Sequence, residues 1–76
     1  MSRRLPAVKP KELLRVLTRA GFVVHHSSGS HYILKHPGKP HLRVTLPFRN
    51  KDLKRRTLAS ILDQAGLSNE AFLDLL

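Results

Sequence analysis

Two glycine-containing turns divide the middle of the chain into three short segments, and this spacing limits the fold more than any other feature. Segments 22–25 and 31–36 are rich in β-forming side chains, with Ser-Ser-Gly-Ser between them at 27–30. A Pro-Gly-Lys-Pro turn at 37–40 leads into 41–46, where apolar and polar residues alternate. Because such short connections join only neighbouring antiparallel strands, the pattern predicts a three-stranded antiparallel meander.

Helical patterns flank these strands on both sides. Apolar residues recur at helical spacing over 10–20, where Pro10 is suited to the first turn and Gly21 to the position after the last. A second helix is expected after Thr57 as N-cap, and a short last helix after Ser68. Two helices on one face of the sheet predict a two-layer α+β domain of order α-β-β-β-α plus a short C-terminal helix.

The length is that of one small domain, for which we expect a flexible N-terminal arm at 1–8 and a single domain at 9–76. Pro47 is expected to lie just beyond the third strand, and the segment 48–56 that follows is basic and irregular. No stretch approaches the ~20 apolar residues that span a bilayer. The absence of cysteine excludes disulfides and thiolate metal sites, and it favours a cytoplasmic location.

Charge is distributed unevenly along the chain. The formal net charge is +9, and all 14 Lys and Arg lie within residues 1–56. Residues 57–76 contain acidic side chains and no Lys or Arg. This separation favours a polyanion-binding surface, with nucleic acid as the partner. A merely solvated surface is the alternative, whereas a membrane surface is disfavoured because no helix pairs a basic face with a strongly apolar one.

The alternation along the strands assigns the two faces of the predicted sheet. The side chains expected to face the helices are Tyr32, Leu34, Leu42, Val44 and Leu46. The side chains expected on the opposite, uncovered face include His31, Lys35, His41 and Arg43. A slip of one residue in the pairing would reverse this assignment, so it depends on the register.

Histidine is the residue type that gives this chain acid–base chemistry near neutral pH. The five acidic residues are too few and scattered for a two-metal site, and no glycine-rich phosphate loop is present. His25 and His26 are adjacent and face opposite sides of a regular strand, so they cannot bind one ion together. No metal and no other cofactor are therefore expected. His36 and His41 are expected to be surface residues beside turns.

Among the histidines, His31 has the context best suited to catalysis, because it follows Gly29 and Ser30 directly. Glycine lets a backbone approach a ligand closely, and the serine hydroxyl can donate to a phosphate oxygen. On a basic face, an imidazole can take the proton of an RNA 2′-hydroxyl or protonate the 5′ leaving oxygen, without a metal. The residues alone leave a second interpretation open, in which His31 is an ordinary strand-end histidine that hydrogen-bonds the turn.

Several motifs taken in order resemble a known family over residues 9–76. The matching motifs are Lys11-Glu12-Leu13-Leu14, Ala20-Gly21-Phe22, Gly29-Ser30-His31-Tyr32, Pro37-Gly38, Val44-Thr45-Leu46-Pro47-Phe48 and Ala65-Gly66-Leu67-Ser68. Together they resemble the HicA toxins of type II toxin–antitoxin systems. The resemblance implies a fold similar to the double-stranded RNA-binding domain and the activity of an mRNA interferase, a ribonuclease that arrests translation and growth. It implies His31 as the catalytic group.

The same resemblance implies the partners of the chain. These are an mRNA substrate and a HicB-type antitoxin that covers the active site and neutralises the toxin. The free toxin is expected to be monomeric and cytoplasmic, with no membrane contact. The residues expected to bind RNA are Gly29, Ser30, Lys35, Arg43 and Arg49.

Two positions depart from the family pattern. Arg49 stands where members often carry a second histidine, and Arg56 stands where a glycine is common before the helix. Because arginine stays charged, Arg49 cannot transfer a proton, although its guanidinium is suited to binding phosphate. The departure at Arg49 leaves a second proton-transfer group unassigned.

Two other functions remain open at the level of sequence. A non-catalytic double-stranded RNA-binding module would use the basic run Lys54-Arg55-Arg56 for backbone contacts. A pure interaction protein would use its charge to bind an acidic partner. Expression of the chain alone in bacteria separates these functions from a toxin, because only a toxin arrests growth and is neutralised by a neighbouring gene.

Overall fold

The computed structural model describes residues 4–76, which form one three-stranded sheet and three helices. In chain order the elements are α1 (Pro10–Arg19), β1 (Val23–Ser28), β2 (His31–His36), β3 (Lys39–Pro47), α2 (Arg55–Ala65) and α3 (Asn69–Leu75). The strands lie in the order β1-β2-β3, and both neighbouring pairs are antiparallel. The predicted α+β class, the meander and the order of the elements are confirmed.

The strands extend further than the sequence pattern predicts. β1 continues through Ser28, so that only Gly29 and Ser30 connect it to β2. β3 includes Pro47, which is a strand residue and the Cα partner of His31, so the prediction that the strand stops before it is wrong. The reason is the position of β3 at the edge of the sheet, where a residue without an N–H group is tolerated.

β1 contains a bulge that the sequence pattern does not predict. The Cα partners shift from Val24–Leu34 to His26–Ile33, and this leaves His25 as an extra residue. A bulge changes which face of the sheet the following side chains point to. From His26 onwards, the side chains of β1 therefore point to the face opposite to the one they would occupy in a regular strand.

The start of α2 differs from the prediction that Thr57 is its N-cap. The helix begins at Arg55 with Lys54 as N-cap, and the first helical hydrogen bond runs from the Leu58 amide to the Lys54 carbonyl, at 2.9 Å. Thr57 lies inside the first turn. The chain is fixed earlier than expected because the amide of half-buried Leu53 donates to the carbonyl of Val8, at 2.8 Å.

One apolar core lies between the sheet and the helices. Its buried residues are Val8, Leu13, Val16, Leu17, Phe22, Leu34, Val44, Leu46, Leu58, Ile61, Leu62, Ala65 and Phe72. Leu34, Val44 and Leu46 are fully buried and alternate with half-buried or exposed neighbours along β2 and β3, as the period of two predicts. Tyr32 and Leu42 are partly buried and pack against the same core. The predicted division between covered and uncovered faces is therefore confirmed for these residues.

Polar contacts close the edges of this layer. The backbone amide of Thr45 donates to the Gln64 side chain at 2.9 Å, which joins the outer edge of β3 to α2. The Ser68 hydroxyl accepts from the Ala71 amide at 3.1 Å, so the predicted cap of the last helix is confirmed. The Arg19 guanidinium donates to the Leu75 carbonyl at 2.7 Å and ties the end of α3 to the end of α1.

The predicted N-terminal arm falls partly outside the described residues, because 1–3 are not among them. In the described part, residues 4–9 form no helix or strand, yet Val8 is buried and Leu5 packs against the core. The end of this segment thus holds the loop before α2 in place through the Leu53 hydrogen bond. Within residues 4–76, no helix has the length and apolar character needed to cross a membrane.

Candidate active site

His31 is the first residue of β2, and its side chain is exposed on the uncovered face of the sheet. Its Cα partners are Ser28 on one side and Pro47 on the other, so both neighbouring strands flank it. Among residues 4–76 the ring makes no hydrogen bond or ion pair. The interpretation in which His31 hydrogen-bonds the turn is therefore wrong, and both ring nitrogens are available to a ligand.

A two-residue turn holds His31 at the end of the sheet. Gly29 has a φ of +56°, in the left-handed region that glycine adopts without strain. A Cβ atom at this position would meet no other heavy atom within 4 Å. Glycine is therefore favoured here by the positive φ, and not by a lack of room for a side chain. The Phe48 amide donates to the Ser30 carbonyl, and this bond holds the segment after β3 against the turn.

Lys35 and Arg43 share the uncovered face with His31. They are Cα partners on β2 and β3, and both are exposed. Lys35 is four residues from His31 along a strand, a separation of roughly 13 Å at ~3.3 Å per residue. The two cations therefore form a second positively charged position on the uncovered face, away from the His31 end.

Arg49 lies at the His31 end of the sheet and lines two clefts between the start of α1 and the loop after β3. The first cleft has a volume of about 390 Å³, and its charged lining residues are Arg49, Lys51, Asp52 and Lys54. The second has a volume of about 490 Å³ and is lined by Lys9, Lys11, Phe48, Arg49 and Asn50. Positive charge is thus concentrated at the His31 end of the sheet by residues from the start of α1 and from the loop after β3.

A profile of the HicA toxins of bacterial toxin–antitoxin systems matches residues 10–67. The chain belongs to the HicA toxin family. The matched region contains the sheet, α1, α2 and the Gly29–Ser30 turn, whereas α3 lies beyond it. No individually curated protein matches the chain significantly.

His36 is not part of the exposed site of this HicA family member, and the prediction that it is a surface residue is wrong. It is half-buried, with its ring edge-on to Phe22 at a centroid distance of 5.1 Å. Nδ1 accepts from the Gly38 amide at 3.1 Å, so Nε2 carries the proton and donates to the Ala20 carbonyl at 3.0 Å. The residue joins the end of α1 to the β2–β3 turn.

His41 is exposed, as expected, but the sheet does not place it beside His31. Pairing between β2 and β3 passes from His36–Lys39 directly to Lys35–Arg43. Residues 40–42 lie outside this ladder, so alternation along β3 does not assign a face to His41. That it shares the uncovered face with Arg43 therefore stays a prediction.

The β1 bulge brings another histidine to the uncovered face. His26 is the Cα partner of Ile33, which lies two residues from His31 on β2. Paired residues point to the same face, so His26 is a diagonal neighbour of His31, with Cα atoms about 7–8 Å apart. Sequence reasoning missed it because a regular strand places adjacent His25 and His26 on opposite faces, and no residue in the segment signals the bulge.

Proposed function

We propose that this HicA family member is a metal-independent endoribonuclease, an mRNA interferase, with His31 as a catalytic residue. The observation that carries the proposal is an exposed imidazole that bonds to none of residues 4–76, at a glycine turn on a basic, uncovered face. Such a group is available to exchange protons with a substrate. The surrounding cations supply the attraction for an RNA backbone.

The proposed reaction uses the substrate's own nucleophile. The 2′-oxygen forms a bond to the adjacent phosphorus, and the bond from phosphorus to the 5′-oxygen breaks. One protein group takes the 2′ proton, and another gives a proton to the leaving 5′-oxygen, which yields a 2′,3′-cyclic phosphate and a 5′-hydroxyl. His31 performs one of these two transfers, and imidazole is suited to either near neutral pH.

Phosphate binding is assigned to groups around His31. Gly29 and Ser30 form the turn that a phosphate would approach, and Arg49 adds a guanidinium at the same end of the sheet. Lys35 and Arg43 bind the backbone further along the uncovered face. Because Lys35 lies roughly 13 Å along β2 from His31, at ~3.3 Å per residue, removal of the two cations is expected to weaken RNA binding more than it slows the bond-breaking step.

Membership in a toxin–antitoxin family supports a proteinaceous partner, which we propose to be a HicB-type antitoxin. A protein that covers His31 must bind a strongly basic surface, so an acidic patch on the antitoxin is expected. We propose that the free toxin is a monomer and acts in the cytoplasm, where its mRNA substrate is found. Co-expression with the gene next to the toxin gene should restore growth.

The test of this function is RNA cleavage by purified protein. His31→Ala should lower the cleavage rate by ~10²–10⁴, the usual contribution of general acid–base catalysis, while RNA binding persists. His41→Ala is the matched control, since it removes an exposed imidazole outside the β2–β3 ladder. Equal rates for the two variants would refute the assignment, and loss of activity in EDTA with recovery in a divalent cation would refute metal independence.

A non-catalytic double-stranded RNA-binding module is the second candidate, favoured by the exposed cations at the start of α2. Lys54, Arg55 and Arg56 are all exposed there, where they can contact the backbone of a duplex. This function predicts salt-dependent binding to a perfect RNA duplex, no cleavage product and no growth arrest. Cleavage abolished by His31→Ala would exclude it.

A further inference from the structure

The second of the two clefts beside Arg49 has the lining of a nucleotide site. No carboxylate is among the residues that line it with Lys9, Lys11 and Arg49, although Glu12 accepts from the Lys9 amide at 3.0 Å. In the first cleft, Asp52 is itself a lining residue and offsets part of the positive charge. Phe48 adds an aromatic ring, and Asn50 adds an amide that can both donate and accept hydrogen bonds. The volume of about 490 Å³ lies in the range typical of small-ligand sites.

These groups match the parts of a ribonucleotide. Single-stranded nucleic acid is bound by cations that contact phosphate and by aromatic rings that stack on bases. We propose that this cleft binds one unpaired nucleotide of the RNA, outside the two that flank the cleaved bond, with its phosphate at Lys9, Lys11 and Arg49 and its base at Phe48. The inference deepens the proposed ribonuclease function and depends on it.

The position of Phe48 supports this arrangement. Its ring stacks on Tyr32 at a centroid distance of 4.6 Å and an interplanar angle of 13°. This contact covers one face of the Phe48 ring, so the proposed base contact uses the other face or the edge. The Phe48 amide bonds to Ser30, the residue before His31, so the cleft begins at the same turn that holds the proposed catalytic group.

At this end of the sheet, the cleft lies on the helix side and His31 on the uncovered side. This arrangement limits which form of RNA can contact both. His31 is on the uncovered face, whereas Tyr32, on which Phe48 stacks, pairs with buried Leu46 on the helix side. A strand that contacts both must turn around the end of the sheet within a few nucleotides. An unpaired strand can bend in this way, but a stiff double helix cannot.

The test compares two charge-matched double variants in the His31→Ala background, where the RNA stays intact. Lys9→Gln/Lys11→Gln removes two cations of the cleft, and Arg15→Gln/Lys39→Gln removes two exposed cations outside both clefts. The probe is an unstructured oligoribonucleotide of random sequence. The cleft variant should bind at least about tenfold more weakly than the control, with a salt dependence shallower by ~0.7 for each lost phosphate contact.

A second measurement separates this subsite from the proposed cleavage. With His31 present, the cleft variant should cleave the oligoribonucleotide at least about tenfold less efficiently, but a dinucleotide as efficiently as the control variant. Equal binding by both double variants, or an equal loss on both substrates, would refute the subsite. A third outcome is that the cleft variant binds RNA more weakly than the control, as predicted, while the unmodified chain cleaves no RNA. That outcome would refute the ribonuclease function and leave a nucleotide-binding cleft.

The β1 bulge carries a second, independent inference about catalysis. Cleavage by the 2′-oxygen needs two proton transfers, and Arg49 cannot provide one. His26 and His31 lie diagonally on the same face with Cα atoms about 7–8 Å apart, so two imidazoles can flank one phosphate. We infer that His26 is the second proton-transfer group. The other titratable group on this face of neighbouring β2 is Lys35, beyond Ile33.

The pH dependence of the cleavage rate tests the role of His26. The unmodified chain should show a bell-shaped profile, and His26→Gln should lower the rate by ~10² or more and remove one limb of the profile. A substrate with a 5′-thio leaving group needs no proton on that group, so it should restore the rate of only one of the two histidine variants. Oligoribonucleotide binding should stay unchanged in His26→Gln.

His41→Gln is the control for the loss of an exposed histidine. A His26→Gln rate within about twofold of that control, or a retained bell-shaped profile, would refute the assignment. Complete inactivity of the unmodified chain would refute the ribonuclease function itself.

Discussion

His31 and His36 begin and end the same strand, and their surroundings are opposite. His31 is exposed and makes no hydrogen bond with any residue in the described part of the chain. His36 is half-buried, has both ring nitrogens bonded to backbone groups and packs against Phe22. One six-residue strand therefore has an imidazole available to a substrate at one end and an imidazole that stabilises the fold at the other.

The two histidines differ because different elements contact the two ends of β2, and not because of the residue type. At the His36 end, α1 finishes at Arg19 and its following carbonyl, Ala20, points to the ring. At the His31 end, β1 and β3 flank the backbone, but none of the helices within residues 4–76 covers the exposed side chain. Both histidines adjoin glycine turns, so the local sequence does not distinguish them.

The largest expected difference between the two histidines is in activity. His31→Gln should lower RNA cleavage by ~10²–10⁴ and leave thermal unfolding nearly unchanged, because its side chain is exposed. His36→Phe should keep nearly full activity at temperatures where it stays folded. Cleavage rates and melting curves of both variants check this reciprocal pattern, which fails if His36→Phe loses as much activity while folded.

The next largest effect is expected at Gly21, which contacts the His36 ring. Gly21 has a φ of +99°, and an added Cβ would lie 2.6 Å from His36 Nε2. Backbone strain and this overlap together should reduce the free energy of unfolding by about 2–4 kcal/mol in Gly21→Ala. Chemical denaturation measures the loss.

A double-mutant cycle identifies His36 as the source of the overlap. Removing the ring relieves the clash, so Gly21→Ala/His36→Ala should be less destabilised than the sum of the single variants. Strict additivity would show that the effect comes from the backbone conformation alone.

A smaller loss is expected from removing only the hydrogen bonds of His36. His36→Phe keeps an aromatic ring against Phe22 but leaves the Ala20 carbonyl and the Gly38 amide without their partner. Two net hydrogen bonds of ~0.5–1.5 kcal/mol each predict a destabilisation of about 1–3 kcal/mol. The free energy of unfolding from denaturant titration checks it, and a value near zero would mean that water replaces both contacts.

The sequence predicts the regular parts of the strands better than it predicts the bulges. Period-two alternation correctly placed Leu34, Val44 and Leu46 in the core and Lys35 beside Arg43, because each depends only on local strand geometry. The two bulges were not predictable, since each is a register shift between strands that depends on packing of the whole sheet. They decide that His26 lies near His31 and that His41 is outside the ladder.

The clefts and the start of α2 were also beyond local reasoning. Lys9 and Lys11 meet Phe48 and Asn50 only after folding brings together segments about forty residues apart. Thr57 has the chemistry of an N-cap, but the bond between Leu53 and Val8 fixes the chain earlier and the helix starts at Arg55. Tertiary contacts therefore override local preference at the His31 end, where the proposed site lies.

The smallest expected effect is at Gly29. It is the glycine of positive φ near His31, as Gly21 is the glycine of positive φ near His36. Its φ of +56° lies in the left-handed region, but an added Cβ would meet nothing within 4 Å. Gly29→Ala should therefore lose only about 1–2 kcal/mol from backbone strain, and Gly29→Asn less, because asparagine tolerates this conformation. Melting temperatures of the two variants check the order. If Gly29→Ala destabilises the fold as much as Gly21→Ala, contact with the histidine ring does not explain the difference between the two ends of the strand.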